Sequence, residues 1–136
     1  MNPDELTGMT VMVHPLLCDD PAGRMGQIGV IIEADRGKDD YLIRFDDMVL
    51  AHYSAGALQV LQPPEKLYEL MENRATTLSP GIWKDLHSIA LLQRYGSAIQ
   101  LRTAFELVQQ HEHLQPLVIL SLEDALGEYR SRRVGR

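Results

Sequence analysis

"RMGQIGVIIEADRGKDDYLIRF", residues Arg24 to Phe45, decides how the first half of the chain folds. Two apolar runs flank the polar stretch "DRGKDD", a turn by composition in which Gly37 can supply a positive φ. The first run alternates with a period of two, which is the period of a strand with one buried face. Ile28, Val30 and Ile32 share one face, and Gln27, Gly29 and Glu33 share the other with Ile31. Ile31 is therefore expected as an apolar residue on the exposed side. The second run sets Tyr41, Ile43 and Phe45 against Leu42 and Arg44.

Outward from this hairpin the pattern stays strand-like. "MTVMVH" precedes it, and "MVLAHY" follows the Asp46–Asp47 turn. After the tight turn "SAGA", "LQVL" makes a last short strand. Pro63 and Pro64 end the series, because proline has no N–H for a ladder. Beyond them the period becomes helical. "PEKLYELMENR" has Leu67, Leu70 and Met71 on one side. "SPGIWKDLHSIALLQRYG" offers Ser79 as N-cap, Pro80 at the first helical position and Gly96 as terminator. Ser97 and Gln100 then form a capping box for a helix burying Ala98, Leu101, Ala104, Phe105 and Val108. "PLVILSLEDALGEYRSRR" reads as one final helix, with a short strand at Leu117–Leu120 as the alternative. Its apolar residues exceed one stripe, so it needs cover from neighbouring helices or from a second copy in a homo-oligomer.

The expectation is an α+β chain. Residues 1–62 would form a five-stranded β-barrel and residues 63–136 a bundle of three to four α-helices. At 136 residues, 45% hydrophobic and 24% charged, the composition is that of a globular protein. No uninterrupted apolar run exceeds four residues, so no membrane span is expected. The start "MNPDELTG" lacks a secretory pattern, and Cys18 is the sole cysteine. A cytoplasmic location follows as the expectation. The net charge of −6 sits wholly in residues 1–62, with 10 acidic and 4 basic side chains; the remainder has 9 of each. Such an acidic surface repels phosphate backbones.

The succession "GQIGVIIEA" and "YLIRFDD…AHYSAGALQVL" resembles the SH3-like small β-barrel superfamily, in its KOW and Tudor-like members, over about residues 8–62. The resemblance implies a binding module. KOW modules that bind RNA are basic near the Gly-led strand, whereas only Arg24, Arg36 and Lys38 stand here against six carboxylates. A Tudor-like cage would draw on Tyr41, Phe45 and Tyr53, but Tyr41 and Phe45 share a face with Ile43 and read as core. A proline-rich ligand would want exposed aromatics, and this half has no tryptophan.

Chemistry is sparse. Glycines 23, 26 and 29 lead into a strand, whereas a phosphate loop must lead into a helix. Cys18 lies beside Asp19 and Asp20, which disfavour its thiolate. "HEH", His111 to His113, is the only histidine cluster. On a helix those rings would diverge by about 200°, whereas on a loop they could chelate; exposed turn histidines are the expectation. No catalytic residue, cofactor or metal is assigned, and the chain is not read as an enzyme. The favoured reading is a non-catalytic protein-interaction or adaptor module that binds a protein partner or its own copy. Asp19, Asp20 and Ile31 are its candidate contacts. The alternative is a nucleic-acid-associated factor using the helical half and Arg130, Arg132, Arg133 and Arg136 of "YRSRRVGR".

Overall fold

The computed structural model describes residues 6–17, 20, 22–74 and 76–127. Asp19 and the four tail arginines lie outside the described residues. The strands are β1 (Thr10–Val13), β2 (Ile28–Asp35), β3 (Asp40–Phe45), β4 (Leu50–Tyr53) and β5 (Leu58–Leu61). Then come α1 (Pro64–Asn73), α2 (Pro80–Tyr95), α3 (Ala98–Gln110), the four-residue α4 (Gln115–Val118) and β6 (Ile119–Ser121). Residues 122–127 are again helical. Among the described residues no helix is long and apolar enough to cross a membrane.

The expected five-stranded closed barrel is corrected. The sheet has six strands in the order β4-β3-β2-β1-β5-β6, and it stays open, with β4 and β6 at its edges. The sixth strand comes from the apolar run read first as helix. Pro116 opens a helix of a single turn, and the apolar residues Ile119 and Leu120 then extend as strand. The helix resumes behind Ser121, whose hydroxyl accepts from the Asp124 N–H at 3.0 Å.

Two compact units result: residues 1–60 with 120–136, and residues 61–119. In the first, Val11, Ile31, Tyr41, Ile43, Tyr53 and Leu58 share a core that Leu122 and Leu126 also enter. The second closes on Leu67, Met71, Leu86, Ile89, Ala104, Val108, Leu114 and Val118. Its helices α2 and α3 start and stop where expected. The Ser79 hydroxyl accepts from the Ile82 N–H, Gly96 ends α2 at φ 69°, and Ser97 with Gln100 completes a capping box on α3.

The buried face of β2 is also corrected. Gly29 opposes Phe45 and Ile31 opposes Ile43, so these residues point inward. Ile31 is 0% exposed and cannot offer a surface contact. The misreading came from Gly29, which looks polar in a pattern but sits where the sheet is tightest. A Cβ there would lie 2.6 Å from Ile43 Cγ2 and 2.8 Å from the Arg44 carbonyl oxygen. The register then shifts between Ile31 and Glu33, leaving Ile32 without a partner on β3. This β-bulge moves Ala34 opposite Tyr41 and turns both Ile32 and Glu33 outward.

Candidate functional site

The bulge creates the feature of chemical interest in the strand unit. Glu33 opposes Leu42, and Leu42 opposes His52, so three side chains line up across the outer face of β2, β3 and β4. Ile32, Glu33, Ala34, Asp35, Asp40, Leu42 and His52, with Thr7, line a cleft of about 490 Å³. Ile32 and Leu42 supply an apolar floor, and Glu33, Asp35 and Asp40 an acidic rim. The hairpin end holds Asp35 directly opposite Asp40. Like charges in that relation destabilise a sheet, so the pair is an electrostatic cost in the free protein. His52 offsets part of it, its Nδ1 lying 2.8 Å from Asp40 Oδ1. Both partners are solvated, so their interaction is weak. A cation laid across Asp35, Asp40 and Glu33 would relieve the repulsion.

Asp20 does something else. Its carboxylate accepts from the Ala22 N–H at 2.9 Å, the Arg24 N–H at 2.8 Å and the Tyr53 hydroxyl at 3.0 and 2.9 Å. Burial pushes its pKa up, but the bonds from Arg24, Tyr53 and Ala22 outweigh that and hold it below the ordinary value. Tyr53 moves the opposite way. Burial raises it first, and the Asp20 charge raises it further, to well above an ordinary tyrosine. Arg24 adds a second tether: its guanidinium meets Asp47 at 2.7 Å and lies 5.2 Å from the centre of the Phe45 ring. Asp20 is thus occupied internally, and Arg24 is held against the sheet. Phe45 and Tyr53 meet edge to face at 6.4 Å, and Tyr41 and Phe45 are buried as the strand pattern implies, so the three rings form core.

Sequence reasoning found the acidity of the first half but not the cleft that concentrates it. Asp35 and Asp40 end the turn "DRGKDD" and Glu33 stands two residues before it, yet only the bulge adds Ile32 to the same face. A bulge of one residue leaves no mark in a run of aliphatics. In the helical unit, α3 stops at Gln110, so His111 lies on extended backbone at φ −129° and ψ 95°, and His113 in a 3₁₀ turn. The "HEH" rings face each other there at 5.5 Å. No protein-family model, no curated protein and no solved structure matches this chain.

Proposed function

We propose that this chain is a non-catalytic protein-interaction module whose cleft on β2, β3 and β4 takes a basic, extended segment of a partner protein. The observation that carries this reading is the opposed pair Asp35 and Asp40, set with Glu33 above the apolar floor of Ile32 and Leu42. Lysine and arginine match such a surface twice, because their methylene stems lie on apolar floor while their charged ends reach the rim. A kinship of residues 8–62 with SH3-like barrels belongs to the same proposal. The antiparallel neighbours in the order β4-β3-β2-β1-β5 and the 3₁₀ turn Ala55–Ala57 before β5 support it. Asp20 and Ile31 give way to the cleft acids as contacts, since one is held by Tyr53 and the other is buried.

The test is fluorescence anisotropy with a labelled peptide of alternating lysine and arginine residues, against the full chain at low and moderate salt. Saturable binding that weakens with salt is expected, with loss in a Glu33→Lys, Asp35→Lys double variant. No binding at low salt, or equal binding by the double variant, overturns the reading. Binding of mixed-sequence RNA or DNA in place of the peptide would transfer it to the nucleic-acid class.

A further inference from the structure

We propose that Asp85, His111 and His113 form a binding site for a divalent transition-metal ion of the zinc class. The argument starts from the α2–α3 hairpin. Gly96 and Ser97 reverse the chain, so the end of α3 returns beside the first half of α2. At 1.5 Å per residue, Asp85 stands about 15 Å from the turn along α2, and His111 about 19 Å along α3. The two are thereby neighbours. Because α3 ends at Gln110, the i and i+2 histidines escape the divergence that a helix would impose. One ligand atom from each of Asp85, His111 and His113 lies within 4.8 Å of the other two.

Three features select the ion. Two imidazoles and one carboxylate suit zinc, cobalt, nickel or copper, whereas calcium and magnesium want oxygen ligands throughout. Asp85 and His111 are half-buried and His113 is exposed, so the site is partly shielded yet open to solvent. The carbonyl end of α3 lies next to His111 and carries the negative pole of a 13-residue helix, which favours a cation. Among the described residues, no hydrogen bond or ion pair to another side chain occupies the three ligand groups, so a metal displaces no partner. Bond lengths of about 2.0–2.1 Å require the ligands to close in by rotation of His113 and Asp85. With three protein ligands, the remaining position falls to water or to a donor from another molecule. The site lies in the unit of residues 61–119 and stands or falls independently of the acidic cleft.

The full chain, stripped with chelator, would be titrated calorimetrically with zinc chloride, and separately with cobalt chloride while its visible spectrum is followed. One zinc per chain is expected, together with a cobalt spectrum of low coordination number and a raised melting temperature. His111→Ala, His113→Ala and Asp85→Ala should each weaken zinc by about tenfold or more, while His14→Ala leaves it unchanged. His113 is exposed, so its variant tests the site even where Asp85→Ala impairs folding. No zinc binding, zinc binding unchanged in His113→Ala, or magnesium binding as tightly as zinc would each overturn the proposal.

Discussion

The Tyr53 hydroxyl lies 3.0 and 2.9 Å from the two carboxylate oxygens of Asp20, joining β4 to a loop 33 residues earlier. One proton serves both oxygens, and the bond is charge-assisted, so removing it should cost about 1–3 kcal/mol. Tyr53→Phe is expected to lower the urea midpoint accordingly. The pH dependence follows from the two displaced pKa values. The folded value of Asp20 is depressed, so its contribution is present above the unfolded carboxylate pKa of about 3.9 and is lost as pH falls through the folded value. The folded value of Tyr53 is raised, so its contribution is intact below about pH 10 and declines as pH rises beyond it. Unfolding curves from acid to alkaline pH should therefore show Asp20→Asn losing its deficit at low pH. Tyr53→Phe should show a smaller alkaline decline, the remainder coming from Tyr41, whose pKa burial also raises. Parallel profiles for wild type and both variants would refute the linkage.

Gly29 and Gly81 make an opposed pair for alanine substitution. At Gly29 the added carbon meets the Arg44 carbonyl at 2.8 Å, a main-chain atom held by the sheet, as well as Ile43 Cγ2 at 2.6 Å. Overpacking of about 1–3 kcal/mol outweighs the roughly 0.5–1 kcal/mol that alanine gains over glycine in an ordered element. Gly81 has nothing within 4 Å and lies in the first turn of α2. There only the propensity gain remains. Chemical denaturation should show Gly29→Ala less stable and Gly81→Ala more stable than the natural chain; the reverse order would mean the sheet is not packed as described.

Ile31 and Val30 test which face of β2 is inside. Ile31 is fully buried and Val30 only partly so. Ile31→Ala should cost about 2–5 kcal/mol, and Val30→Ala distinctly less. The alternation Ile28, Val30, Ile32 would demand the opposite ranking, so a pair of denaturation midpoints decides between the two registers.

That contrast marks what the residues disclose and what they hide. Caps and terminators are local chemistry, so Ser79, Pro80, Gly96, Ser97 and Gln100 were readable, and each acts where the pattern placed it. Tyr41, Ile43 and Phe45 were readable too, because β3 keeps a strict period of two. β2 did not disclose its inner face, since six of its eight residues are aliphatic or glycine and a bulge inverts the phase midway. β6 was legible only as the strand alternative at Leu117–Leu120. Strand formation over three residues depends on pairing with a distant partner, which no local period encodes. The acidic character of the outer face of β2, β3 and β4 was legible as net charge; its geometry required the bulge. "HEH" was legible only conditionally, because its meaning turns on whether α3 continues past Gln110.

Met48 stands at φ 69° in the turn between β3 and β4 and is 69% exposed. The left-handed region costs an L-residue about 1–2 kcal/mol, and no burial of this side chain returns it. Met48→Gly is expected to raise stability by up to about 1 kcal/mol, the gain being reduced by glycine's extra chain entropy. Met48→Asn should gain less, since asparagine tolerates this conformation only moderately. Thermal unfolding of the two variants ranks them, and a loss in both would place the turn in another conformation.

At Asp35 stability and the proposed recognition can be weighed against each other. Its carboxylate faces Asp40 across the hairpin and accepts from the Lys38 N–H at 3.2 Å through Oδ1. Asp35→Asn retains an oxygen for that N–H and removes one of the two opposed charges. The free protein should therefore become more stable, by on the order of 0.5 kcal/mol, and the gain should shrink as salt screens the pair. The same change takes a charge from the cleft rim, so the lysine–arginine peptide should bind more weakly. A stability gain accompanied by an affinity loss is the signature of a repulsion kept for the sake of a cationic ligand. If Asp35→Asn stabilises the chain and leaves peptide affinity untouched, the opposed aspartates are a tolerated defect of the turn and the peptide lies elsewhere.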